Sequence, residues 1–148
     1  MLTRPLRLRY MTGRRRVLMA KNEPNCESVY ISVPQSLYDN ESTDEEKESD
    51  VARLIADTQA GITVKALLQL TLPVTVTWSD SDGQCFWRER MSGAGAAFKV
   101  EDEFTDSLKL GLAIVSAANG KTPIFVVFTD ANSKELRFRL QFGEYPTQ

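Results

Sequence analysis

Residues 73–90 read PVTVTWSDSDGQCFWRER. Val74, Val76 and Trp78 alternate with Thr75 and Thr77, the period-two pattern of a strand that buries one face. Ser79-Asp80-Ser81-Asp82-Gly83 supplies turn residues, and Gln84 to Arg90 is able to return antiparallel, so the stretch is predicted to be a β-hairpin.

A stricter alternation follows downstream in Leu136-Arg137-Phe138-Arg139-Leu140-Gln141-Phe142, with the apolar set directed to the core and Arg137 and Arg139 directed away from it. Ile124 to Phe128 is an apolar strand. Asn119-Gly120 before it is the preferred dipeptide of a tight hairpin turn, and Leu108, Leu110, Leu112 and Ile114 alternate with Lys109, Gly111 and Ala113. Residues 107–142 are therefore predicted to form a three-strand meander. The small-residue run Ser92 to Ala97 reads as a connection between sheet-forming regions.

Upstream, Ser28 to Val33 is a short β-branched and aromatic run that ends at Pro34. The polar stretch from Leu37 to Asp50 carries two pairs at capping-box spacing, Ser42 with Glu45 and Thr43 with Glu46, ahead of a stripe formed by Val51, Leu54, Ile55 and Thr58. An amphipathic helix is expected over residues 43–60, closed by Gly61. Residues 62–70 fit strand and helix equally well. The fold class is α+β to mainly β: an antiparallel sheet or small β-sandwich with one amphipathic helix near residues 43–60.

The chain has 148 residues, 42% of them apolar and 26% charged, which places it among ordinary globular domains and away from disordered or collagen-like chains. No run approaches the ~18 to 20 apolar residues of a membrane span. Arginines interrupt the first 20 residues, which argues against a secretory signal and for an intracellular protein. Cys26 and Cys85 are read as two reduced thiols.

Charge is unevenly distributed. The first 22 residues hold seven basic and no acidic side chains, whereas the remaining 126 hold 11 basic against 20 acidic, so a head of +7 precedes a body of −9. This divides the chain into a basic segment, residues 1–22, and a single β-rich domain, residues 23–148. Three readings of the head compete. Pro5-Leu6-Arg7-Leu8-Arg9-Tyr10-Met11, Thr12-Gly13 and the following Arg14-Arg15-Arg16-Val17 fit a hairpin lying on the acidic body. The same arginines suit contact with phosphates or another anionic surface. An arginine-rich, acid-free start also suits mitochondrial import.

With no histidine, the usual general base near neutral pH is missing, and so is a Ser-His-Asp or Cys-His nucleophile. Two cysteines and no histidine cannot complete a zinc site within one chain. Asp80-Ser81-Asp82-Gly83 matches the start of a calcium loop, but Met91 stands where the bidentate glutamate belongs. Gly93-Ala94-Gly95 and Gly120-Lys121-Thr122 match only fragments of nucleotide-binding loops. Cys85, beside Phe86, Trp87 and Arg88, is read as a small apolar core residue ahead of a reactive thiol.

No catalytic residue, metal ligand or cofactor is expected. The expected function is non-enzymatic binding or assembly, with a protein partner or a second copy of the chain, through the sheet surface and the basic head. A nucleic-acid-associated domain and a histidine-free enzyme are the alternatives. The contact residues expected for a partner or nucleic acid are Arg7, Arg9, Arg14, Arg15 and Arg16 in the head, and Trp87, Arg88, Arg90, Arg137 and Arg139 in the body.

Overall fold

The computed structural model describes residues 26–93, 95–101, 103 and 105–143, so readings of the basic head lie outside the described residues. In chain order the elements are β1 (Cys26–Ile31), a 3-10 turn (Gln35–Leu37), α1 (Asp44–Leu67), β2 (Val74–Asp80), β3 (Cys85–Met91), β4 (Lys99–Val100), α2 (Ser107–Ala118), β5 (Ile124–Thr129) and β6 (Glu135–Phe142). The strands form one sheet in the order β1-β6-β5-β2-β3-β4. β1 runs parallel to β6, and the other pairs are antiparallel. The α+β class holds, with a mixed sheet.

The alternation at β2, β5 and β6 is realised in the burial. Val74, Val76, Trp78, Ile124, Val126, Phe128, Leu136, Phe138 and Leu140 form one side of the core, and Val51, Ile55, Ile62, Ala66, Leu110 and Ile114 of the helices form the other. Phe128 and Phe138 meet edge to face with centroids 5.9 Å apart. The helices thus lie on one face of the sheet.

α1 starts where the capping residues place it. Thr43 Oγ1 accepts from Glu46 N at 3.1 Å, and Glu46 Oε1 accepts from Thr43 N at 2.8 Å, while Asp44, Glu45 and Glu46 sit at the positive end of the helix dipole. The helix does not stop at Gly61 as expected. It continues to Leu67 because Ile62 and Ala66 extend the buried stripe, and burying such side chains outweighs the roughly 1 kcal/mol that an internal glycine costs.

Residues 107–118 correct the expected meander, being helix α2 and not its first strand. The alternating leucines are misleading: only Leu110 and Ile114, one helical turn apart, are fully buried, and Leu112 is 72% exposed. Asp106 caps the start by accepting from Lys109 N at 3.0 Å. Asn119-Gly120 ends the helix and makes no hairpin; Gly120 adopts a φ of 81° and donates its N–H to Ala117 O. Gly111 lets α2 approach its neighbours closely, since a Cβ there would sit 3.2 Å from a Leu37 methyl and 3.3 Å from a Val51 methyl.

The β2–β3 and β5–β6 turns are each organised by an aspartate. Asp80 Oδ1 accepts from the N–H groups of Asp82 and Gln84, both at 2.9 Å, so the carboxylate of the calcium-like fragment is committed to its own turn. Asp130, between β5 and β6, accepts from Asn132 N at 2.8 Å, Lys134 N at 2.9 Å and, across the fold, Thr71 N at 3.0 Å. These main-chain donors, Thr71 first among them, hold its carboxyl below the usual carboxylate range despite burial.

Two glycine substitutions should move stability in opposite directions. A Cβ at Gly61 meets nothing within 4 Å, so Gly61→Ala should raise the free energy of unfolding by about 0.5–1 kcal/mol, whereas Gly111→Leu should lower it by about 1–3 kcal/mol through overpacking. Urea unfolding midpoints measure both. Because Asp130 titrates lower in the folded chain than in the unfolded one, its contribution is fully present above the unfolded value of about 3.9 and is lost as pH falls through the folded value. Asp130→Asn should therefore be less stable than the parent at neutral pH, and the gap should narrow below about pH 4. An unchanged gap in urea midpoints across that range would contradict the assignment.

Candidate binding surface

Side chains paired directly across a sheet share a face. The register places Arg137 of β6 beside Val127 of β5, then Thr77 of β2 and Arg88 of β3. The next row runs Glu135, Thr129, Thr75, Arg90 and Lys99 of β4. A third contains Arg139, Phe125, Ser79 and Cys85. None of these residues belongs to the face under the helices. Arg88 and Arg90 therefore stand on one side, Arg137 and Arg139 on the other, separated by three strand spacings of about 14 Å.

The floor between them is built from short polar and apolar side chains. Phe125 is its central aromatic residue, and the guanidinium of Arg137 lies 5.1 Å from its ring centroid. Arg88 Nε is 3.6 Å from Glu101 Oε1. Arg90, Lys99 and Arg139 are exposed. The helical layer is charged in the opposite sense: α1 carries six acidic and three basic side chains. The sheet separates charge as well as covering a core.

Four of the ten expected contact residues, Arg88, Arg90, Arg137 and Arg139, are brought to this one face. Arg7, Arg9, Arg14, Arg15 and Arg16 lie outside the described residues. Trp87 lies on the opposite face. The pairing of Trp78 with Trp87 and of Ser79 with Cys85 leaves Phe86 as an extra residue, a β-bulge that turns both Phe86 and Trp87 toward the helices and returns Arg88 to the open side.

On the helical side Trp87 joins a chain of hydrogen bonds. Trp78 Nε1 donates to Gln59 Oε1 at 2.8 Å, Gln59 Nε2 donates to Glu89 Oε1 at 3.1 Å, and Trp87 Nε1 donates to Glu89 Oε2 at 2.7 Å. The chain ties α1 to β2 and β3 and fixes the strand that presents Arg88 and Arg90. Lys99 and Phe125 also belong to the basic face; their period-two positions in β4 and β5 were the signal that could have found them. Gln59 had no such signal, because its partner is 19 residues away across the core.

Burial pushes the Cys85 thiol up, which keeps it protonated near neutral pH and fits a packing role. Among the described residues no three His, Cys, Asp or Glu side chains gather where they could hold a metal ion. No described helix is long and apolar enough to cross a membrane. A groove of about 540 Å³ runs between β1 and α1. Neither protein-family models, curated proteins nor solved structures give any match to this chain.

Gln59→Leu should destabilise the fold by about 1–3 kcal/mol, because it leaves the buried Trp78 N–H without its acceptor. In a Trp78→Phe background the same substitution should cost less. Equal costs in both backgrounds, measured by urea unfolding, would remove the hydrogen bond as the cause.

Proposed function

We propose that the protein is a non-enzymatic binding or assembly protein that holds the acidic surface of a protein partner against the face of its sheet opposite the two described helices. One observation carries the reading: Arg88, Arg90, Lys99, Arg137 and Arg139 come from three strands to one face, while the acidic α1 lies on the other layer. Such an arrangement steers an acidic partner toward the sheet and away from the helices. The carboxylates of Asp80, Asp130 and Glu89 are engaged as hydrogen-bond acceptors within the fold, which favours binding over catalysis.

The same face suits single-stranded nucleic acid less well. Bases bind by stacking on aromatic rings, yet Phe125 is already covered by Arg137, and Trp87 is on the opposite side. The phosphate-binding reading keeps Arg137 beside Phe125 in its favour, together with the five arginines of the head.

Labelled poly-L-glutamate titrated against the full chain is expected to bind with an affinity that falls steeply with salt. Arg90→Glu combined with Arg139→Glu, both at exposed positions, should weaken it by about tenfold or more. Retained affinity in that variant would refute the assignment to this face. A preference for oligothymidylate that disappears on deleting residues 1–22 would move the reading to phosphate contacts by the head.

A further inference from the structure

The outward side of α1 changes character along its length. Its first turns expose Glu45, Glu46 and Ser49, whereas Ala56, Ala60, Gly61, Val64 and the capping residue Leu68 are exposed further on. Val64 is 71% accessible and Leu68 82%, although both are large and apolar. Residues four apart stack along one side of a helix, so Ala56, Ala60, Val64 and Leu68 make an apolar strip about 18 Å long, on the side away from the buried Ile55, Ile62 and Ala66. Asp57 and Lys65, also exposed, border that strip along one flank.

The strip is complementary to itself. A two-fold axis crossing α1 near Gly61 and Ile62 sets Leu68 against the partner's Ala56, Val64 against the partner's Ala60, and Asp57 against the partner's Lys65, each pairing occurring twice. Bulk thus meets a small side chain and acid meets base. Alanine and glycine at the crossing let the two helices approach to about 8 Å. Lys65 also holds Glu27 of its own copy, and the three donors of its ammonium serve both carboxylates. Arg53, next along the face, is paired with Asp50 at 3.9 Å.

Charge selects the antiparallel arrangement. Asp44, Glu45, Glu46, Glu48 and Asp50 occupy the first turns of α1, so a parallel pair would stack like charges, whereas an antiparallel pair holds the two acidic ends apart and opposes the helix dipoles.

We propose that this strip joins two copies of the chain through an antiparallel, two-fold pairing of α1 with α1. The inference goes beyond the acidic-partner reading and does not depend on it, because the contact uses the helical layer and turns the basic face of each copy outward. The pair then offers two basic faces back to back, so an extended acidic partner is held at two points. One helix-on-helix contact of this length buries less than the ~1,200 Å² of a standard interface, so the association is weak and appears at high concentration.

Sedimentation velocity of the full chain between about 10 μM and 1 mM should show the weight-average coefficient rising from monomer toward dimer. Ala60→Glu, at an exposed helical position that suits a glutamate, should weaken association about tenfold or more with an unchanged urea midpoint. Asp57→Lys and Lys65→Glu each set like charges across the axis and should weaken it similarly, and mixing the two variants in equal amounts should recover it, because every cation then faces an anion. A chain that stays monomeric at about 1 mM, association that survives Ala60→Glu, or no recovery on mixing overturns the pairing. Arg90→Glu combined with Arg139→Glu should leave it intact; loss of association there would move the contact to the sheet face and overturn it equally.

Discussion

The indole of Trp78 can be buried at the centre of the sheet because its N–H donates a hydrogen bond to Gln59 Oε1. An aromatic N–H without a partner in that position would cost a large fraction of the stability of a domain this size. Gln59 is held in turn by Glu89, and Glu89 by Trp87, so α1, β2 and β3 share one chain of satisfied polar groups inside an otherwise apolar interface. That chain of hydrogen bonds ties the rotational setting of α1 to β2 and β3.

That setting determines what the other surfaces offer. With α1 and α2 packed against each other through Gly111 and Val51, the helical layer covers one face and leaves the other to the arginines of β3 and β6. The acids of α1 then lie in the layer opposite those arginines, which polarises the domain across its own thickness. Among the described residues the two end strands of the sheet also differ. β4 contributes two residues, too short to template another strand, whereas β1 contributes six and has a cleft beside it. The basic face and the β1 cleft adjoin, since Cys26 and Ser28 pair with Arg137 and Arg139.

Much of this was legible in the chain. Alternation at 74–78 and 136–142 identified strands and the outward direction of Arg137 and Arg139, because a period of two needs only local backbone geometry to assign faces. Thr43 and Glu46 located the start of α1 for an equally local reason, since a capping box closes within four residues. Trp87 was expected to make contact together with Arg88 and Arg90, yet the alternation from Trp87 to Arg90 sets it on the opposite face, and only the partner strand shows that the extra residue Phe86 turns to the helices as well.

Composition and periodicity by themselves therefore determined an α+β domain, most of its strands, its first helix and half of its basic face. Tertiary structure decided the rest: that 107–118 is a helix, that α1 runs past Gly61, and that Arg88 and Arg90 lie on the same surface as Arg137 and Arg139. The physical reason is common to all three. Each outcome is set by burial against residues far away in sequence, Ile114 and Leu110 in the core between the helices and the sheet, Ile62 and Ala66 under α1, Phe86 and Trp87 beneath the helical layer, and no local pattern carries the free energy of a contact that forms only on folding.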